Sequence, residues 1–284
     1  MHRNDALAAL RALMKKRKLA AYVQPVHDEY LNEYPPACNR RIEWLTGFTG
    51  SAGTAAVLAK KAAFFTDGRY TLQAGNQVGK EFEQHNSGEL APDAWLAQQL
   101  KAGDRVGYDP KLTTPGMVRR WDAALKAQGV RLAPVANLVD AVWKHRPAAP
   151  ATPIMVHDIQ YAGETSAAKC RHIAKQLKAL GADAAVIAAP DAVCWLLNIR
   201  ARDVENAPLV LAPAILDARG NVQLYIDVSR CDAAAKKHLR SVTLHDPSKL
   251  ANDLKSLGKK KMRVLCDPQS TPVWFSQNLS KAGA

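Results

Sequence analysis

Cysteine is scarce in this 284-residue sequence, and its five copies are widely separated. No two of them form a C-x-x-C pair, which argues against a disulfide framework and against a zinc ribbon. We therefore expect reduced thiols that are mostly buried, because free cysteine behaves as a small apolar side chain. The five are Cys38, Cys170, Cys194, Cys231 and Cys266.

Long apolar runs are also absent, since none approaches the roughly 20 residues needed to cross a bilayer. The first residues, MHRNDALAALRALMKKRKL, include Asp5 and lack the apolar stretch and small-residue cleavage site of a signal peptide. These absences predict a cytoplasmic protein that has no membrane partner.

Metal-binding motifs are missing too. The eight histidines form neither H-x-x-x-H nor H-E-x-x-H, and no carboxylates accompany them at recognisable ligand spacing. We expect this chain to hold no metal ion and no other cofactor.

Acidic residues are outnumbered, 26 against 39 basic ones, and the net charge of +13 raises the question of nucleic-acid binding. The excess is shared between the two halves of the chain. The lysine-rich clusters at 15–18 and 259–261 end helical patterns, where cations favour a helix C-terminus, and no aromatic residues interleave with them. We interpret them as solvated surface and predict no nucleic-acid partner.

What the sequence does contain is an internal duplication. Apolar residues spaced by three and four mark one helix face near the start and another in the second half, where Gly181 ends the helix. The faces consist of Leu7, Leu10, Leu13 and Met14, and of Cys170, Ile173, Leu177 and Leu180. Each helix leads into a short apolar strand that closes on proline, at 20–25 and 184–190.

The parallel continues through segments with the same order and character in both halves. Residues 42–48 match 193–199, and the strand pair 54–59 with 62–66 matches the pair 209–216 with 222–226. Asp67 matches Asp227, and the strand ending in Asp-Pro at 105–110 matches the one at 263–268. A helix opened by Thr-Pro then follows in each half, at Thr114-Pro115 and at Thr271-Pro272. We therefore predict two tandem α/β domains, 1–146 and 154–284, joined by a stiff proline-rich linker at 147–153.

Four aspartates recur at equivalent positions of the repeat: Asp67, Asp109, Asp227 and Asp267. Recurrence in both halves favours turn and cap chemistry over two unrelated active sites.

The stretch TGFTGSAG, residues 46–53, spaces its glycines as G-x-x-G-x-x-G. A dinucleotide loop needs G-x-G-x-x-G before a helix, a P-loop needs Gly-Lys-Ser/Thr, and a nucleophile elbow needs G-x-S-x-G. Here a strand pattern follows the loop, so Ser51 is not expected to be a nucleophile. We predict a tight bend in which backbone and side chains approach closely.

Four segments resemble a known family. RIEWLTGFTGSAGT at 41–54 with FTDGRYTLQA at 65–74, and NLVDAVW at 137–143, are similar to the first domain of the three-domain Xaa-Pro aminopeptidases. AVCWLLNIRARDV at 192–204 resembles the W-L-x-N-x-R-G-x-D segment of their second domain. Ala201 stands where that family usually has glycine, which would alter the bend there.

This resemblance implies that each half has the creatinase/prolidase N-terminal fold, a mixed β-sheet flanked by helices. It also implies a third, catalytic "pita-bread" domain with two divalent metal ions, manganese or zinc, that hydrolyses the bond before proline. We expect that domain to be absent from this chain, which would then be inactive alone. Its two domains would cap the active-site cleft, restrict access to short peptides with proline second, and support a homodimer.

By the same resemblance, Arg69 matches a position where an arginine reaches the substrate end of the cleft. From the residues alone, local pairing with Asp67 or with a backbone carbonyl is the simpler interpretation. Trp44 and Tyr70 could border the cleft, but aromatics beside apolar runs are more often core, and we predict them to be core.

Two other functions stay open. The chain could be a stand-alone binding or scaffold protein without a catalytic domain, or a basic nucleic-acid-binding protein.

Overall fold

The computed structural model describes residues 3–283. The chain divides into two compact units after Ala148, which lies within the predicted linker. Each unit has its own sheet and its own apolar core.

Unit 1 contains six strands and six helices. The strands are β1 (Ala21–Pro25), β2 (Thr54–Leu58), β3 (Ala62–Thr66), β4 (Glu83–Asn86), β5 (Arg105–Tyr108) and β6 (Arg131–Pro134). The helices are α1 (Arg3–Lys16), α2 (Arg41–Thr46), α3 (Thr71–Gln77), α4 (Pro92–Gln99), α5 (Pro115–Lys126) and α6 (Leu138–Val142).

The strands of unit 1 form one mixed sheet in the order β4-β3-β2-β1-β5-β6. The β1–β2–β3 meander is antiparallel, whereas β4, β5 and β6 join by parallel pairing. Every residue of β1 and β3 is buried, as expected for strands in the middle of a covered sheet.

Unit 2 contains seven strands, two of them very short, and six helices. The strands are β7 (Met155–Val156), β8 (Ala184–Ile187), β9 (Ile199–Arg200), β10 (Ala214–Asp217), β11 (Val222–Tyr225), β12 (Val242–His245) and β13 (Val264–Cys266). The helices are α7 (Ile159–Ala162), α8 (Ser166–Ala179), α9 (Pro190–Leu197), α10 (Ala233–His238), α11 (Leu250–Lys259) and α12 (Val273–Ser280).

The main sheet of unit 2 has the order β12-β11-β10-β8-β13, and β7 pairs separately with β9. This order and its pairing senses repeat those of unit 1, strand for strand, except that no strand among the described residues corresponds to β6. The predicted fold class, two tandem mixed α/β domains with flanking helices, is confirmed.

Helices α1 and α8 bury most of the faces that their apolar spacing predicts, including Cys170 and Leu177 of α8. Leu7, Leu10 and Met14 are buried in α1. Gly181 adopts a left-handed φ of 64° after α8, which is the conformation that ends helices at glycine. Leu180, counted among the apolar face, is instead 63% exposed because it caps the helix rather than lying within it.

Three local expectations are wrong. The predicted strand 209–216 begins only at Ala214, because Pro213 has no N–H and the amides of Val210 and Leu211 bond to Cys194 Sγ and Asp203 Oδ2. Pro272 is the N-cap of α12 rather than its first helical residue. Third, the strands β4 and β12 were not expected.

The thiol prediction is confirmed: all five cysteines are free, and only Cys266 is partly exposed. Within residues 3–283, no helix is both long and apolar enough to span a membrane.

Candidate functional site

The glycine-rich stretch forms the connection from α2 to β2. Gly47 ends α2 with φ 87°, and its N–H donates to Glu43 O at 2.8 Å. Thr46 Oγ1 donates to Ile42 O and accepts from Phe48 N, which closes the bend. A strand follows, so the prediction of a structural bend rather than a phosphate loop is confirmed.

Two further glycines of this loop are required by packing. A Cβ on Gly50 would contact the Phe48 ring and would lie 2.8 Å from Tyr70 Cδ1. A Cβ on Gly53 would lie 2.7 Å from Phe64 Cζ. The glycines therefore let three aromatic rings pack directly on the loop backbone.

Arg69 lies on the turn after β3. Asp67 Oδ1 accepts from the Arg69 backbone N–H at 3.0 Å, and the Tyr70 N–H donates to Asp67 O. The guanidinium also donates two hydrogen bonds to the same carboxylate, from Nε to Oδ1 at 3.0 Å and from Nη2 to Oδ2 at 2.8 Å. These hydrogen bonds lower the pKa of Asp67 and raise that of Arg69, whose side chain is 68% exposed.

This local pair is the simpler of the two interpretations of Arg69, and the substrate role stays a prediction. The bidentate hydrogen bond to Asp67 occupies one edge of the guanidinium only. Among the described residues Nη1 has no hydrogen-bond partner, so its two N–H donors remain for another ligand.

A series of hydrogen bonds between side chains connects this turn to the glycine-rich loop. The Arg69 guanidinium carbon lies 5.3 Å from the centroid of the Tyr70 ring. Ser51 Oγ donates to Glu33 Oε1 at 2.9 Å and lies 2.9 Å from Tyr70 Oη, so the tyrosine hydroxyl donates to the serine. Ser51 is thus a link in a polar chain and has no histidine partner in the described structure.

A small cavity of about 170 Å³ opens beside the loop. Its walls combine apolar side chains with Glu33, Glu43 and Arg40. Arg69 is not part of its lining. Glu33, which joins this cavity to the hydroxyl chain, was missed by the sequence analysis because its segment has no periodic pattern.

Trp44 and Tyr70 both pack against the apolar core of unit 1, but they remain half-buried at its edge. Trp44 stacks on Trp143, with centroids 5.4 Å apart and planes inclined by 21°. The core prediction is therefore correct in kind, although both rings also reach the surface.

An ion-pair cluster around the buried Arg41, also missed, fixes the segment between β1 and α2. Arg41 is 1% exposed and donates to both oxygens of Asp140 at 2.7 and 2.9 Å, and to both oxygens of Glu29. Arg146 Nη1 adds a second cation to Asp140 at 2.7 Å. Because Arg41 and Asp140 are 99 residues apart, no local sequence pattern could have paired them.

In unit 2 the segment that corresponds to α2 and the glycine-rich loop is held by structural hydrogen bonds and an ion pair. Asn198 ends α9 with a left-handed φ of 50°, and its side-chain oxygen accepts from the buried Lys169 at 2.7 Å. Asp203 is fully buried and accepts from Arg230 at 2.6 and 2.8 Å, and from Thr152 at 2.5 Å. Ala201 is fully buried and has no positive φ, so an alanine fits this backbone position without strain.

Among residues 3–283, no group of three or more His, Cys, Asp and Glu side chains is placed to hold a metal ion. The four recurrent aspartates all accept from the backbone N–H two residues later, which confirms the prediction of turn chemistry.

Both units match a known domain family. Residues 7–142 and residues 145–284 each match the creatinase/prolidase N-terminal domain. The chain belongs to the creatinase/prolidase N-terminal domain family. The structure of an X-prolyl aminopeptidase from Caenorhabditis elegans, described as a cytosolic enzyme with a di-nuclear active site, superposes with a TM-score of 0.89 at 29% identity. The match covers 96% of this chain and 48% of that one.

Relatives of this creatinase/prolidase N-terminal pair are longer proteins. A probable Xaa-Pro aminopeptidase P from Paracoccidioides brasiliensis is 38% identical, covering 99% of this chain and 48% of its own length. One from Paracoccidioides lutzii is 38% identical, covering 90% and 42%. The chain thus spans less than half the length of these relatives.

Proposed function

We propose that this chain is the non-catalytic N-terminal region of a metal-dependent Xaa-Pro aminopeptidase and that Arg69 binds the peptide substrate. The names of the relatives and of the structural neighbour support the enzyme class. The two divalent metal ions, manganese or zinc, would be held by a further catalytic domain. A dedicated peptidase is reasonable because proline has no N–H and a fixed φ.

The observation that carries the role of Arg69 is a difference between equivalent turns. In unit 2, Asp227 Oδ1 accepts from the Ser229 N–H at 2.9 Å, and the Arg230 N–H donates to Asp227 O. This is the same backbone turn as 67–70, made with serine in place of arginine. The arginine side chain is therefore not needed to form the turn.

Chemically, Arg69 is a pre-organised donor. Asp67 holds Nε and Nη2 in place, which reduces the entropy lost on binding, and leaves Nη1 for a peptide carbonyl or carboxylate. Arginine suits this task because its planar fork matches oxygen pairs.

The proposal extends to the two units as a whole. The two units would cap the active-site cleft and limit entry to short peptides with proline in the second position. They would also support a homodimer, in the cytoplasm.

The experiment is a kinetic comparison of full-length enzymes on Xaa-Pro peptides. Arg69→Ala should lower kcat/KM by about 10- to 100-fold, since hydrogen bonds to a charged group contribute about 1.5–3 kcal/mol. Arg69→Lys should recover part of the loss. The matched control is Arg219→Ala, another exposed arginine two residues after a turn aspartate, Asp217.

Two outcomes would contradict the proposal. Equal kinetics for Arg69→Ala and Arg219→Ala would remove Arg69 from the substrate site. A full-length protein that cleaves Xaa-Ala peptides as well as Xaa-Pro peptides, or neither, would exclude the enzyme class.

A further inference from the structure

The turn after β3 contains the one Asp-Gly pair of the sequence, Asp67-Gly68, and the sequence has no Asn-Gly pair. An aspartate followed by glycine is prone to isoaspartate formation, because a neighbour without a side chain leaves its backbone nitrogen accessible. The Asp67 side chain is 35% exposed and Gly68 is exposed. Water can therefore reach the atoms that would react.

The fold does not require a glycine at position 68. A Cβ added there would have no atom within 4 Å apart from those of its chain neighbours. Gly68 has no positive φ, so a residue with a side chain could adopt the same backbone. In unit 2 the equivalent residue is Val228, on a turn with the same backbone hydrogen bonds. The glycine of unit 1 thus leaves its nitrogen accessible although packing does not demand it.

Both carboxylate oxygens of Asp67 accept hydrogen bonds from Arg69. Oδ1 accepts from the backbone N–H and from Nε, both at 3.0 Å, and Oδ2 accepts from Nη2 at 2.8 Å. Attack of the Gly68 nitrogen on the carboxyl carbon expels one of these oxygens as water. At least one hydrogen bond from Arg69 must therefore break before the reaction can occur.

The charge of Asp67 opposes the same reaction. An ionised carboxylate is a poor electrophile, and the neutral carboxylic acid is the form that reacts. The hydrogen bonds from Arg69 lower the pKa of Asp67, so the neutral form is scarcer at neutral pH than for an unpaired aspartate.

We propose that Asp67-Gly68 is a site of isoaspartate formation, and that the Arg69 guanidinium slows the conversion by holding both oxygens of the Asp67 carboxylate. The proposal does not depend on whether Arg69 binds a substrate, because it is tested on the covalent structure of the turn.

The reaction needs only water. The Gly68 nitrogen forms a bond to Cγ of Asp67, the Cγ–OH bond breaks, and water leaves with the amide proton. One water then opens the five-membered ring. Opening at the original backbone carbonyl leaves the main chain running through Cγ and the former backbone carbonyl carbon as a free carboxylate, so the composition of the chain is unchanged.

Conversion would alter the turn. The main chain gains one methylene group, so the carbonyl of Asp67 can no longer accept from the Tyr70 N–H in the present geometry, where the distance is 3.0 Å. The carboxylate that holds Arg69 is also displaced. The modified turn would therefore lose the contacts that position Arg69 and Tyr70.

The test measures isoaspartate at residue 67 during incubation of the whole chain near neutral pH, by mass spectrometry and by labelling with a protein isoaspartate methyltransferase. We expect Arg69→Ala to accumulate it about threefold to fivefold faster than the parent, the factor that an exposed ion pair can contribute. An unstructured peptide of residues 60–75 should convert faster than the parent.

Two matched variants separate the causes. Gly68→Val, which copies unit 2, should abolish the conversion, because its side chain hinders the attacking nitrogen. Tyr70→Phe removes the hydroxyl contact with Ser51 but retains Arg69, so its rate should equal that of the parent. Thermal unfolding checks that all variants are folded at the temperature of incubation.

Four results would overturn the proposal. Equal rates for Arg69→Ala and the parent would show that the arginine does not slow the reaction, as would a parent that converts as fast as the peptide. Acceleration by Tyr70→Phe equal to that by Arg69→Ala would identify loosening of the turn as the cause. Isoaspartate at Asp227-Val228 in the amount found at Asp67 would show that the glycine does not define the site.

Discussion

The two units fasten the same pair of loops by different chemistry. In unit 1 the residue ending the turn after β3 is Tyr70, whose hydroxyl reaches Ser51 in the glycine-rich loop. In unit 2 the equivalent residue is Arg230, which forms a buried ion pair with Asp203 in the matching loop. The two turns have the same backbone hydrogen bonds. The arginine of unit 2, Arg230, is buried in an ion pair, whereas Arg69 of unit 1 lies one position earlier in its turn and is exposed.

That difference separates what the fold requires from what it permits. Both units need a link between the loop and the turn, and either a hydroxyl chain or an ion pair can supply it. Neither needs an arginine at the position of Arg69, since Ser229 occupies it in unit 2 without change of the turn. A side chain that the fold does not require is the best candidate for function.

The largest expected effect concerns the ion pair of unit 2. Arg230→Met should lower the free energy of unfolding by about 3–5 kcal/mol, because it leaves the buried Asp203 carboxylate uncompensated. Chemical denaturation monitored in unit 2 measures this, with the exposed Arg219→Met as control. A loss equal to that of the control would mean that the pair does not hold the loop.

The next effect concerns Cys266, which corresponds to the buried Tyr108 of unit 1. Burial raises the pKa of the Cys266 thiol to about 11. Because the thiolate is the reactive form, alkylation at pH 8 should be about 10- to 100-fold slower than that of an unstructured cysteine peptide and should rise with pH until about pH 11. A rate that levels off near pH 9 would contradict this, and mass spectrometry of the labelled peptide measures it.

A smaller effect is expected from exchanging the loop residues. Gly50 corresponds to Ala201 in unit 2, where a methyl group is accommodated in full burial. Gly50→Ala should cost about 1–3 kcal/mol, because its Cβ would overlap the buried Phe48 ring. Ala201→Gly is the reciprocal control and should cost only about 0.5–1 kcal/mol. Equal costs, from thermal unfolding, would indicate that the two loops are interchangeable.

The smallest effect is expected from the hydroxyl chain. Tyr70→Phe should lower the free energy of unfolding by about 0.5–1.5 kcal/mol, since it removes one neutral hydrogen bond to Ser51. Tyr22→Phe, whose hydroxyl accepts the Leu138 N–H within the core, provides a buried comparison. A loss at Tyr70 as large as that at Arg230 would erase the proposed contrast between the units.

The internal repeat can be predicted from the sequence because its signals are local patterns of residues. Apolar spacing, proline at strand ends and turn aspartates all act within a few residues, and the four Asx turns show this. Their environments were not predictable. Burial raises the pKa of Asp109, whereas hydrogen bonds from Ser270 lower the pKa of the equivalent Asp267.

Other features depend on contacts distant in the sequence. The edge strand β4, EQHN, is polar and half-exposed, so it has no alternating pattern to reveal it. Glu33 and Asp140 obtain their roles only through Ser51 and Arg41, which the fold brings to them.

The most direct test of this account is a reciprocal exchange between the two turns in the full-length enzyme. We predict that Arg69→Ser, which copies the residue of unit 2, lowers kcat/KM on Xaa-Pro peptides by about tenfold or more, while Ser229→Arg leaves it unchanged. Thermal unfolding of both variants should match the parent, because both positions are exposed. An Arg69→Ser enzyme with unchanged kcat/KM would contradict the claim that the arginine of unit 1 is retained for the substrate.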